Sequence, residues 1–148
     1  MPQTLYERDF YAWTQQQAAL LQAEELEKLD LPNLFEEIEA MGRSQRKEVT
    51  SRLIVLLMHL LKLRYQKRTH TNSWRNTIRT QRREIELELS DSPSLRRLVP
   101  EIIAQVYPRA RKDAAAETGL MLATFPEDCP WSVEQILDVD WLPVPVEE

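Results

Sequence analysis

The chain has 148 residues, one cysteine, two glycines and a formal net charge of −5. That length predicts one domain, large enough to bury about 68–70% of its unfolded surface without a disulfide or a structural metal. A lone Cys129 forms no intrachain disulfide, which predicts a reducing, cytoplasmic location; two glycines exclude Gly-rich phosphate loops and dinucleotide fingerprints.

No run of about 18 apolar residues occurs, so no membrane span is predicted. The start MPQTLYERDF lacks a basic region followed by an apolar core, so no signal peptide is expected. The charge is strongly segregated. Residues 1–42 carry nine acids and two bases; residues 43–83 carry twelve bases and one acid, Glu48; residues 84–148 carry fourteen acids and five bases. A basic middle between acidic ends is the strongest signal outside the apolar pattern.

The first predicted helix runs from Leu5 to about Leu26, with Thr4 and Glu7 spaced as a capping box. Tyr6, Phe10, Trp13, Gln17, Leu20 and Leu21 share one face at helical spacing, and the aromatic members read as core packing. Asp30-Leu31-Pro32 opens a second helix, with Asp30 as cap and Pro32 in the first turn. Leu34, Ile38 and Met41 are its predicted buried stripe, with Glu36, Glu37 and Glu39 on the flanks or outside. Gly42 predicts a kink or a short break, with one long bent helix the favoured outcome.

Val49 to Gln66, VTSRLIVLLMHLLKLRYQ, is the stretch around which the rest is organised. On a helix its apolar residues cover roughly 220° of the circumference, about twice the stripe of a surface helix. Only an arc of Ser51, Lys62, Gln66, Glu48, His59 and Arg52 stays polar. Such a helix needs neighbours on several sides. The expected fold is therefore all-α: a single-domain helical bundle around a long central helix at about 44–66.

A polar turn, KRTHTNS, leads to a third helix from about Ser73 to Leu89, capped by Asn72 or Thr71. Trp74, Ile78, Ile85 and Leu89 face inward; Arg75, Arg79 and Arg82 form one outer line with Arg83 beside them. Ser92 caps a fourth helix with Pro93 at its first position. It carries Leu95, Leu98, Val99, Ile102, Ile103, Val106 and Tyr107, with breaks or kinks predicted at Pro100 and Pro108. RARKDAAAET continues in helix, which Gly119 terminates or tolerates. Phe125-Pro126 begins a loop, and Ser132 with Gln135 forms a capping box for a short helix to about Leu137. Trp131, Trp141 and Leu142 dock an extended Pro-rich C-terminal tail. The predicted division is 1–142 for the domain and 143–148 for the tail. No internal repeat or low-complexity segment occurs.

Several motifs are specific. They are NLFEEIEAMGRS at 33–44, HLLK at 59–62, YQ at 65–66 and SWRNTIRTQR at 73–82. YERDFYAW near the start, SPSL at 92–95 and FPEDCPWS at 125–132 extend them over nearly the whole chain. In these motifs the chain resembles a mainly cyanobacterial, bacterial family catalogued as domain of unknown function twenty-nine. The resemblance implies an all-α single domain and brings no activity, ligand or functional residue. Pro108 is a local departure, in a helix expected to be uninterrupted.

Three functions can be ranked. The first is a non-catalytic cytoplasmic interaction or regulatory module, with a protein partner or self-association and no cofactor. The second is a nucleic-acid-binding accessory protein using the basic segment 43–83, with Lys67, Arg68, Arg75, Arg79 and Arg82 as phosphate contacts. Against it stands neutralisation of that segment by the acidic ends, which a sequence pI near 5.2 favours. The third is a metal-dependent, hydrolase-like enzyme using Glu37, Glu39 and His59. Helical di-metal sites pair a Glu with a His three residues on, and here position 56 is Leu. No G-x-S-x-G occurs around any serine, and Cys129 lacks a neighbouring base in sequence. No catalytic, cofactor-binding or metal-ligating residue is therefore assigned.

Overall fold

The computed structural model describes residues 2–66 and 71–146, the side chain of Thr71 apart. Every regular element among them is helical. The α-helices are α1 (Leu5–Arg8), α2 (Phe10–Gln22), α3 (Leu31–Tyr65), α4 (Thr71–Asp91), α5 (Val99–Thr118) and α6 (Val133–Leu137). Short 3₁₀ turns occupy Leu26–Lys28, Pro93–Leu98 and Leu122–Thr124. The chain forms two compact units, Met1–Ser44 and Gln45–Glu148, and α3 contributes residues to both.

In the first unit the predicted single helix is split at Asp9. Its backbone is extended (φ −149°, ψ 86°) and its carboxylate accepts from the Ala12 N–H. An aspartate offers the backbone this capping alternative to helix continuation, so one helix becomes α1 and α2. Thr4 accepts from the Glu7 N–H at 3.3 Å, one half of the expected box. Glu24, with φ +57°, lies just beyond α2. Trp13 is 3% exposed and Gln17 is buried, as their face predicts. Asp30 joins α2 to α3. Its carboxylate accepts from the Trp13 indole N–H at 2.9 Å and from Asn33, and its own N–H donates to Gln17 Oε1 at 2.8 Å.

α3 continues through Gly42 without interruption. The expected buried stripe on its first turns is corrected here. Ile38 and Met41 are 63% and 64% exposed, and Leu34 is only half-buried. Periodicity identifies an apolar face but not whether anything covers it.

The second unit holds the main core. Val49, Leu53, Leu56, Leu57, Leu60, Leu61 and Leu63 of α3 are wholly buried. Around them pack Trp74, Ile78, Ile85 and Leu89 of α4 and Val99, Ile102, Val106, Tyr107, Ala110 and Ala114 of α5. Phe125 and Ile136 complete the cluster, and Trp131, Trp141 and Leu142 pack against it. α4 includes Thr71 and Asn72, ahead of the predicted start near Ser73.

Pro93–Leu98 is a 3₁₀ turn, and Ser92 does not cap it; its Oγ accepts instead from Gln45 Nε2 at 2.7 Å. The predicted breaks at the two prolines do not occur. Pro100 sits in the first turn of α5, where its missing N–H has no helical acceptor to lose. Pro108 lies inside the helix, and both it and Ala104, whose carbonyl it leaves unpaired, face solvent. Gly119 ends α5 in the left-handed conformation (φ +74°). Ser132 and Gln135 form both halves of the capping box of α6. Beyond α6 the backbone is irregular, and the Val146 N–H donates to the Arg64 carbonyl at 2.9 Å.

Candidate functional site

The basic segment separates into residues that serve the fold and residues that do not. Arg82 belongs to the first group. It is 2% exposed, and its guanidinium donates to the carbonyls of Ile136 (2.8 Å), Trp141 (2.7 Å) and Gln135 (3.2 Å). Two of these carbonyls belong to the last turn of α6, whose orphan acceptors and negative dipole end favour a cation. Burial lowers the pKa of Arg82, and the charge of Asp138 opposes the shift. Position 82 stands four residues after Ile78 and three before Ile85. It therefore falls on the inward stripe of α4, a sequence signal that marks a buried arginine.

Arg75 and Arg79 are exposed, and with exposed Arg83 they follow one another at intervals of four along α4. Arg79 donates to Asn76 at 3.4 Å, and Arg83 lies 3.8 Å from Glu84. Among the described residues neither Arg75 nor Arg79 has a carboxylate within 4.0 Å. Lys67 and Arg68 lie outside the described residues. In the second unit Lys62 Nζ of the basic segment pairs with Glu117 Oε2 of the acidic C-terminal segment at 2.7 Å. Lys62 Nζ also stands 4.8 Å from the centre of the Trp74 ring. Arg52 pairs with Glu48 and Arg43 with Glu39, each within its own stretch of helix.

The three residues of the metal hypothesis are not brought together. Glu37 accepts from the Tyr6 hydroxyl, and Glu39 lies 3.9 Å from Arg43. The Glu37 carboxylate and burial raise the pKa of Tyr6. His59 belongs to the second unit. Its Nδ1 donates to the Val55 carbonyl at 2.8 Å, and burial, aided by the charge of Lys62, lowers its pKa. Among the described residues no three His, Cys, Asp or Glu side chains stand close enough to hold a metal ion.

Two recesses in the second unit carry polar groups that already answer one another. One lies between α3 and α5, where Arg109 stands 3.8 Å from Asp113 and Glu117 holds Lys62. The other lies beside Pro108 and contains Cys129, whose thiol burial pushes up, away from the thiolate. Next to it the Tyr107 hydroxyl donates to the Pro126 carbonyl at 2.6 Å.

The first unit presents a different surface. α2 and the first turns of α3 bound an apolar groove of about 460 Å³ lined chiefly by Phe10, Trp13, Leu21, Leu34 and Met41. Its floor is Trp13, held by Asp30 and packed edge-on against Tyr6 at 4.8 Å. Beside the groove α3 exposes Leu31, Phe35 and Ile38, each more than 60% accessible. On the helix these residues, with Leu34 and Met41, fill an arc of roughly 120° at about 100° per residue. Glu37 borders that arc on one side and Glu39 on the other.

An all-helical protein with an exposed apolar face on paired helices of its first unit is the class this geometry defines. The family model described as Domain of unknown function DUF29 matches residues 5–142, and the chain belongs to that family. No curated protein and no solved structure matches it. Among the described residues no helix is long and apolar enough to cross a membrane.

Proposed function

We propose that the protein is a non-catalytic interaction module of the cytoplasm and that it binds its partner through the apolar face of the first unit. The observation that carries this reading is the exposure of Leu31, Phe35, Ile38 and Met41 on consecutive turns of α3. Scattered apolar residues on a surface are ordinary, whereas a contiguous apolar face rimmed by charge marks an interaction site. In the same proposal residues 1–142 act as one domain built around α3, and residues 143–148 as its tail.

A photoreactive benzoylphenylalanine placed at Phe35 or Ile38 tests the reading in living cells. Discrete protein adducts are expected from both positions and not from exposed Glu101 on α5. No adduct from either position would overturn it.

A second reading rests on the exposed arginines of α4, for which no carboxylate partner is found among the described residues. Here Arg75 and Arg79, with Lys67 and Arg68 ahead of them, contact phosphates of a nucleic acid. Anisotropy of labelled duplex DNA and single-stranded RNA at about 50 and 200 mM salt tests it, since multiple phosphate contacts weaken binding by about 10³ or more across that range. Arg75→Glu with Arg79→Glu should abolish the binding, and unchanged binding would remove this reading.

A further inference from the structure

We infer that the occupant of the first unit's apolar groove is a cationic amphipathic helix of a partner protein. The inference rests on the proposed function and names the chemistry of the partner.

The shape of the surface comes first. α2 from Phe10 to Leu21, and α3 from Leu31 to Met41, each run for roughly 15 Å at about 1.5 Å per residue. A helix laid along them places apolar anchors at i, i+4 and i+7 within that length, the spacing by which an amphipathic helix fills a groove. The floor is preformed. Trp13 is fixed by its hydrogen bond to Asp30, and Tyr6, which packs against it, is fixed by Glu37. Rigid lining lowers the ordering cost of binding. Gly42 also lies on the exposed arc, and no atom stands within 4 Å of where its Cβ would be, so a partner backbone can approach closely there.

Charge then selects the occupant. Residues 1–44 hold nine acids against Arg8, Lys28 and Arg43. Glu36 and Glu39 are exposed on α3, and Glu37 stands at the lip of the groove. A second copy of this face meets the first with like charge. Antiparallel pairing centred on the Leu31–Met41 stripe brings Glu37, on the border of the stripe, beside Glu37 of the other copy. Like charges across an interface suppress a pairing, and opposite charges steer and register one. A helix with Lys or Arg beside its apolar anchors places cations against Glu37 and Glu39, which flank the stripe, while its anchors cover Leu31, Phe35, Ile38 and the groove.

The experiment titrates the whole protein with a labelled four-turn helical peptide carrying leucines at i, i+4 and i+7 and lysines on its flanks. A counterpart replaces every lysine with glutamate. The lysine peptide should bind at least about ten-fold tighter than the glutamate peptide. Ile38→Asp should weaken it at least about ten-fold, and Glu39→Lys should cut the preference for the lysine peptide at least about three-fold. These positions are exposed, so the variants retain the fold, and unchanged helical circular dichroism checks that.

Equal affinity for both peptides, or affinity for neither, overturns the inference. So does a dimer in sedimentation that Ile38→Asp dissolves, which makes the occupant a second copy. Binding to zwitterionic lipid vesicles that Ile38→Asp removes, with no peptide bound, likewise overturns it. Photo-adducts at residue 38 without peptide binding leave the interaction role standing and remove the cationic helix alone. Absence of adducts removes the role itself.

Discussion

The indole N–H of Trp13 donates to the carboxylate of Asp30 at 2.9 Å, and the same carboxylate accepts from Asn33 in the first turn of α3. One side chain thus caps a helix and fixes the floor of the apolar groove.

Replacing Asp30 acts on both. Asp30→Ala should cost about 1–2 kcal/mol as a lost N-cap, and it leaves the Trp13 N–H without its acceptor. Urea unfolding followed by tryptophan fluorescence measures the cost. The pH dependence has a definite sign. The hydrogen bond from Asn33, with help from Trp13, holds the Asp30 carboxyl below its ordinary 3.8. The stability it contributes is present above pH 3.8 and is lost as pH falls through its folded value. Asp30→Asn should flatten that part of the acid limb, and an unchanged limb would show that the carboxylate is not engaged in solution.

Arg82 should be among the costliest single positions in the second unit. Hydrogen bonds to a charged group contribute about 1.5–3 kcal/mol each, so Arg82→Ala is expected to lose about 3 kcal/mol or more. Arg82→Lys keeps the charge but not the planar fork that reaches separate carbonyls, and should recover less than half. Amide exchange over residues 136–141 locates the effect, which should appear as lost protection there. A loss below about 1 kcal/mol would contradict the geometry.

Lys62 and Glu117 are unequal partners. The lysine side chain is 8% exposed and the glutamate 51%. Removing the buried partner leaves a glutamate that water solvates; removing the exposed one leaves a buried ammonium over the Trp74 ring without its carboxylate. Glu117→Ala should therefore destabilise by about 1–3 kcal/mol, and Lys62→Met by clearly less. Chemical denaturation of both variants and of the double variant checks the order.

His59 gives a second pH window. Burial holds its folded pKa below 6.5, so its neutral form is the one the fold accommodates. The stability that this contributes is complete above about pH 6.5 and falls as pH drops through the folded value. The urea midpoint should decline as pH falls below about 6.5, and His59→Gln should remove part of that decline.

Sequence periodicity was a good guide wherever apolar residues meet apolar residues. The stretch Val49–Leu63, the inward face of α4 and the Ser132–Gln135 box follow directly from spacing. It failed where the outcome depends on what else is near. Asp9 divides a segment whose spacing reads as one helix, because one carboxylate satisfies the next helix's N–H group. Ile38 and Met41 have core spacing but no cover. Arg82 reads as surface by its charge and as core by its position, and position prevails because carbonyls at the end of α6 receive it. The candidate groove was legible only as an aromatic helical face, since closure or opening of that face is a tertiary matter.

The grip of Arg82 has an uneven mutational footprint. All three of its acceptors are main-chain oxygens, so exchanging side chains at 135–141 leaves every acceptor in place. A substitution scan of that segment reports the packing of Ile136 and Trp141 and stays silent about the grip itself. Inserting or deleting one residue between 136 and 141 is another matter, because it changes the spacing at which the fork meets its oxygens. This segment should tolerate changes of letter far better than changes of length.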